Sequence, residues 1–174
     1  GRKWAQIKDF AANITAEHAI LEWCAGKGHL GRLLAMEQQQ PVTSLEWDQD
    51  LCRQGETLAN KLTLQHHFHC GDALAPEAAA LFKPKQQAVA LHACGELHLR
   101  FLRHAARAGT RALALSPCCY HLIEGNRYVP LSNAGRRHDL GLSRHDLRLP
   151  LQQQVTGGER VRRLRHLELT WRLA

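Results

Sequence analysis

Hydrophobic and polar positions follow two rhythms along this chain. Short, largely apolar runs at 19–23, 42–47, 88–93 and 111–115 have the length of buried strands, and 64–70 alternates enough to be another. Between them, apolar residues recur three and four apart, which predicts helices over 4–13, 30–38, 48–62, 75–82 and 97–108. Trp4, Ile7, Ala11 and Ile14 make the first helical stripe, Asp48 and Asp50 supply capping carboxylates for the third helix, and Pro84 and Gly109 close the fourth and fifth. From 123 to 154 the periodicity breaks into a stretch rich in Gly, Pro and Arg, which reads as a long loop or a substrate-facing insertion. The last segment, 158–174, reads as a helix with Val161, Leu164, Leu167 and Trp171 on one stripe. That stripe has no partner where the chain stops, and the first residue is Gly rather than Met, so a longer native protein is expected.

Five short apolar strands alternating with helices imply an α/β fold: a doubly wound, mostly parallel, Rossmann-like sheet flanked by helices. In such sheets ligands bind beyond the carboxyl ends of the strands. The unusual polar residues fall there after every run, at 22–28, 46–48, 72, 92–96 and 116–121. With 174 residues and 44% hydrophobic composition the chain can bury one core. We therefore read 1–174 as a single domain, with 15–125 as a ligand-binding core and 126–174 as a substrate-facing insertion and C-terminal helix.

Charge is unevenly placed. Residues 1–87 carry nine Lys/Arg against ten Asp/Glu, whereas residues 88–174 carry fourteen against six, and all fourteen bases are arginine. Arginine matches phosphate geometry, so a nucleic-acid partner, RNA above all, is expected through Arg136, Arg137, Arg160, Arg162, Arg163 and Arg165. No apolar run has the length of a membrane span, so no membrane partner is expected. The six cysteines are irregularly spaced, which fits reduced thiols and a cytoplasmic location better than a secreted disulfide framework.

The loop after the first strand, Cys24-Ala25-Gly26-Lys27-Gly28-His29-Leu30-Gly31, satisfies G-x-G-x-x-G, a spacing common to several nucleotide sites. Glu46 lies 20 residues after Gly26 at the end of the second strand, where a carboxylate takes ribose hydroxyls in nicotinamide and S-adenosylmethionine (SAM) enzymes alike. Glu22, just before the loop, would repel a pyrophosphate but suits a cationic amino-acid moiety. Asp72 can accept from an adenine amino group, and Trp47 offers the adenine an apolar face. These residues point to SAM, and no residues suited to hydride chemistry accompany them.

Taken together, ILEWCAGKGHLGR, SLEWD, CGDAL, LHACGEL and SPCCYH resemble the class I SAM-dependent methyltransferases. Within that class they are similar to a branch with GKG, LHxCGDL and PCCYH motifs, which includes methyltransferase-like proteins and bacterial relatives and, distantly, a tRNA 2′-O-methyltransferase family. The resemblance covers roughly 15–125. It implies that Glu22, Cys24, Gly26, Gly28, Glu46, Trp47, Asp72, Ala73, His92 and Ala93 bind the cofactor, with Cys24 standing where glycine is commoner and Glu96 where the branch often has Asp. Sixth and seventh strands, usual in that class, have no clear place in this sequence. His92 and His121 are candidate bases, with His29 further back, and Tyr120 in SPCCYH is a candidate aromatic contact for an acceptor amine. A zinc site from Cys94, Cys118, Cys119, His92 and His121 lacks C-x-x-C spacing, so no metal is expected. The function expected is methylation of tRNA or rRNA; a protein substrate, or a non-catalytic SAM-binding or RNA-binding module, is the alternative. Trp4, Trp23 and Trp171 are expected in the core, and of His66, His67 and His69 one is expected to be packed and two solvent-facing.

Overall fold

The computed structural model describes residues 1–149. The chain divides into two compact units, Gly1–Pro117 and Cys118–Ala174.

In the first unit, helix α1 (Arg2–Ala11) leads into strand β1 (Ile20–Trp23), helix α2 (His29–Gln38), strand β2 (Val42–Glu46), helix α3 (Gln49–Lys61) and strand β3 (His66–Cys70). A 3-10 turn (Pro76–Leu81), strand β4 (Gln87–Leu91), helix α4 (Glu96–Ala108) and strand β5 (Ala112–Ser116) follow. All strand pairs are parallel, in the order β3-β2-β1-β4-β5. The strand order therefore reverses between β1 and β4, which opens a crevice at their carboxyl ends. The fold class read from the sequence is the one observed.

Alternation along each strand separates two cores. Leu21, Trp23, Leu45, Ala88 and Ala90 pack with Phe82, Phe101 and Ala105 on the α4 side. Ile20, Val42 and Val89 pack with Ala11, Ile14, Leu30 and Leu34 beneath α1 and α2. The register pairs Ile20 with Val42 and Glu22 with Ser44, so Glu22, Ser44 and Glu46 share the face of Ile20 and Val42, under α2. Helix α3 starts as its sequence predicts, with Asp48 accepting from the N–H groups of Asp50 at 2.8 Å and Leu51 at 3.1 Å.

Several boundaries differ from expectation. The helix predicted over 75–82 is a six-residue 3-10 turn, too short to repay α-helix nucleation. The fourth strand ends at Leu91 because His92 takes the left-handed conformation (φ 64°). Strand β3 starts at His66 rather than 64, after a left-handed Thr63 (φ 52°). Trp4 is half-exposed instead of buried, since α1 packs on α2 only through its later turns, whereas Trp23 is fully buried. His66 is the packed histidine, and His67 and His69 face solvent.

The second unit, within the stretch read as a long loop or a substrate-facing insertion, holds a short helix α5 (Asn133–Arg137) capped by Ser132, whose Oγ accepts from the Gly135 N–H at 2.9 Å. Arg127 bridges to Ser143 across an antiparallel contact and pairs with Asp139 at 2.9 Å. The helix expected over 158–174, Trp171, and the arginines from Arg160 to Arg165 lie outside the described residues. Among the described residues, no helix is long and apolar enough to cross a membrane.

Candidate functional site

The site grows from the turn after β1. Cys24, Gly26 and Gly28 all have positive φ, at 58°, 58° and 63°, which turns the backbone sharply from strand into helix. The Gly28 N–H donates to the Ala25 carbonyl and the Ala25 N–H to the Leu45 carbonyl, which ties the turn to β2. The two glycines are needed for different reasons. A Cβ on Gly26 would meet nothing within 4 Å, so its backbone borders open space. A Cβ on Gly28 would lie 2.5 Å from Phe68 Cζ and 2.8 Å from His66 Cε1, so packing against β3 demands glycine there.

Glu46, at the end of β2, fastens the turn. Its Oε2 accepts from the Gly26 N–H at 2.7 Å, and its Oε1 accepts from the N–H groups of Trp47 at 3.0 Å and Asp48 at 3.1 Å. Such charge-assisted bonds are among the stronger ones a carboxylate makes. Asp72, past β3, closes its own turn by accepting from the Leu74 N–H at 2.8 Å. Trp47 is 77% exposed, an unusual position for so large an apolar ring.

Two cavities adjoin at Cys24. The first, about 260 Å³, is lined by Cys24, Glu46, Trp47, Asp72, Ala73 and Leu97. The second, about 280 Å³, reaches toward β4 and includes Glu22, Cys24, Gly26, His29 and His92, with Lys3 and Gln6 of α1 on its far side. Gln6 Oε1 lies 3.3 Å from His92 Nε2. The cavities thus gather Glu22, Cys24, Gly26, Glu46, Trp47, Asp72, Ala73 and His92 from the sequence-derived set. Gly28 and Ala93 line neither; Ala93 is fully buried in the α4-side core. Tyr120 and His121 belong to the second unit, in the turn after Cys119, where Cys118 Sγ and Cys119 Sγ lie 3.6 Å apart.

Electrostatics follow burial. The Cys24 thiol is pushed up to about 12, first by burial and then by neighbours that include Glu46, Cys94, Asp72 and Glu22, so it remains a neutral thiol. Glu22 is raised to about 7, chiefly by burial, with Ser44, the Gly31 N–H and Arg32 acting in the opposite direction. His29 is held below its ordinary value by burial and by Arg32 and Lys27; Arg32 reaches its Nδ1 at 2.7 Å. Glu96, which follows the fourth-strand turn, is paired with Arg100 at 3.2 Å and Arg103 at 2.8 Å and lines neither cavity.

Sequence reasoning missed Lys3, Gln6 and Leu97: Lys3 and Leu97 lie in the first turns of α1 and α4, and Gln6 is a polar residue in the middle of α1 off its apolar stripe. It also missed Ser44, and it expected one packed histidine among 66, 67 and 69 without the link through Ser44 to Glu22.

The fold and site are accompanied by matches to known proteins. Residues 2–126 match a family described as a methyltransferase domain. No curated protein matches the chain. Among solved structures, an uncharacterized protein from Listeria monocytogenes serotype 4b is 17% identical, with 64% of this chain and 50% of that chain covered at a TM-score of 0.49. TrmN from Thermus thermophilus is 19% identical, with 65% and 34% covered and a TM-score of 0.47. An rRNA methylase from Streptococcus thermophilus is 10% identical, with 60% and 62% covered and a TM-score of 0.46. The chain spans half of the Listeria protein's length and about a third of the Thermus protein's. With 2–126 matched, this chain belongs to the methyltransferase-domain family.

Proposed function

We propose that this chain is the cofactor-binding and catalytic core of a SAM-dependent methyltransferase that acts on RNA. The observation that carries the reading is the convergence of Glu22, Gly26, Glu46, Trp47, Asp72 and His92 on two cavities that meet at Cys24. Membership of the methyltransferase-domain family supports it. The donor set fits SAM: an exposed indole, three carboxylates, and open space over Gly26 that a side chain would fill.

In this reading the first cavity takes the adenosine. Trp47 stacks on the base, Asp72 accepts from its amino group, and Glu46 uses the one Oε2 lone pair left over from its three backbone bonds to accept from the ribose. The second cavity takes the amino-acid end, with Glu22 facing the ammonium and the Gly26 backbone closing over it. When bound, SAM supplies an electrophilic methyl group on a positively charged sulfur. The chain's contribution to transfer is alignment, since displacement needs the acceptor in line with the methyl–sulfur bond. His92, on its strained left-handed backbone at the cavity lip, is placed to take the proton an acceptor amine or hydroxyl loses.

The RNA assignment rests on charge. Arg127, Arg136, Arg137, Arg144 and Arg148 all lie within residues 118–149, and arginine forks suit phosphates. Incubation with SAM tritiated on the methyl group and total RNA tests both parts. Label that enters RNA, is released by nuclease and vanishes in Glu46→Ala is the expected result; label only in protein, or none, contradicts it. A second reading, a SAM-binding module without catalysis, is favoured by the engagement of Glu96 with two arginines. Tight SAM binding with no transfer to RNA or protein would select it.

A further inference from the structure

We infer that Ser44 and His66 are positioning residues for Glu22, and that cofactor binding expels one proton from the buried relay the three side chains form. This rests on the proposed SAM reading. The β1–β2 register sets Glu22 beside Ser44, and the β2–β3 register brings His66 to the same face. Ser44 Oγ lies 2.5 Å from Glu22 Oε2 and 2.6 Å from His66 Nε2. None of the three residues is more than 3% exposed.

A serine hydroxyl has one proton and here has two neighbours, so one neighbour must donate. In one arrangement Glu22 is protonated and donates to Ser44, which donates to His66 Nε2. The neutral imidazole then carries its proton on Nδ1, which has no partner among the described residues. In the other arrangement Glu22 is ionised and accepts from Ser44, while His66 donates from Nε2 and its Nδ1 is a bare acceptor. The second arrangement holds one proton fewer. Burial favours the first by penalising a carboxylate, whereas the Ser44 hydroxyl, the Gly31 N–H and the Arg32 guanidinium favour the ionised form. The two are therefore closely balanced, and a cation in the cavity that Glu22 lines tips the relay to the ionised form.

Packing fixes the relay against the cofactor turn. The His66 ring stacks on Phe68 at 4.9 Å. A Cβ on Gly31 would strike Glu22 Oε2 and the His66 ring, so the start of α2 rests directly on the relay. The charged and titratable groups facing Glu22 are Glu46 from β2, His66 from β3, Arg32 and His29 from α2, Cys24 from the turn, and Lys3 and His92 across the cavity. Arg32 lowers both Glu22 and His66, and it is held by His29 and by the Lys27 carbonyl.

The test has two measurements. In the free chain, a ¹³C-glutamate NMR titration is expected to place the Glu22 midpoint near 7; Ser44→Ala moves it upward and Ser44→Thr restores it. Calorimetry with SAM from pH 5.5 to 8.5 is expected to show affinity rising up to about tenfold between pH 6 and 8, with a proton released on binding. Glu22→Gln removes this component and leaves only the titration of the ligand's own amine. An ordinary carboxylate midpoint for Glu22, identical pH profiles for the wild type and Glu22→Gln, or a Ser44→Ala loss that is equal at every pH would overturn the relay. Wild-type SAM binding without proton release overturns the inference and leaves the SAM reading standing. A chain that titrates as expected but binds no SAM overturns the SAM reading, and the cofactor-driven step with it.

Discussion

Replacing Glu22 with Gln keeps the shape of a buried carboxyl and removes its titration, so its effect on stability is computable from linkage. In the folded chain Glu22 is raised from an ordinary 4.5 to about 7 by burial, so between those values the folded state holds a proton that the unfolded chain releases. Its contribution to stability is fully present below about pH 4.5 and is lost as pH rises through about 7. The gap of two to three units, at about 1.4 kcal/mol each, makes that loss about 3 kcal/mol. His66 runs the other way. Burial lowers it from 6.5 to about 4, so its contribution is present above about pH 6.5 and is lost as pH falls through about 4. The two slopes oppose each other in the wild type. Glu22→Gln deletes one of them, so its stability relative to wild type should climb by about 3 kcal/mol from pH 4.5 to 7.5. Urea denaturation followed by circular dichroism at half-unit pH steps measures that difference directly. A difference that stays constant with pH, or that falls as pH rises, refutes the reasoning.

Three further outcomes follow from the same structure. Trp47→Ala should leave urea stability within about 0.5 kcal/mol of wild type, because the ring is exposed. The same change should weaken binding of S-adenosylhomocysteine by about 1–3 kcal/mol through lost stacking, read by calorimetry. Gly55→Ala puts a methyl group against the Phe68 ring and should destabilise by about 1–3 kcal/mol; the double variant with Phe68→Leu should recover most of that in the same denaturation assay. Cys24, its thiol pushed up to about 12, should be alkylated by iodoacetamide at pH 8 far more slowly than exposed Cys70, as peptide mass spectrometry can resolve.

What the sequence reveals and what it hides divide along physical lines. Strands such as Gln87–Leu91 are legible because burial on both faces demands a continuous apolar run, here Ala88 to Leu91. Their common carboxyl edge follows from parallel order, so Glu46, Trp47 and Asp72 are found without knowing a distance. Boundaries set by single backbone torsions are harder: nothing in the side chain of His92 announces a left-handed φ that ends β4 two residues early. The 3-10 turn at Pro76–Leu81 reads as a helix because alanine propensity is local, whereas its length is decided by the turns around it. Gly28 looks like a ligand glycine by its spacing, but its neighbours are Phe68 and His66, some forty residues away in sequence. The link between Ser44 and His66 hides for the same reason. Each residue looks like a polar interruption of a strand until the register of three strands sets them beside Glu22. Trp4 shows the converse error: helical spacing finds a stripe but not whether anything covers it.

The central claim is that the carboxyl ends of β1 to β4 form a SAM site organised by Glu46. Isothermal titration calorimetry of the chain with SAM and with S-adenosylhomocysteine, in wild type and in Glu46→Ala, tests it most directly. The account predicts one-to-one binding of both ligands by the wild type. It predicts a loss of at least about tenfold in Glu46→Ala, because removing the charged acceptor of ribose hydroxyls costs about 1.5–3 kcal/mol, with circular dichroism showing the fold retained. Binding of neither ligand by the folded wild type, or undiminished binding by Glu46→Ala, would contradict it.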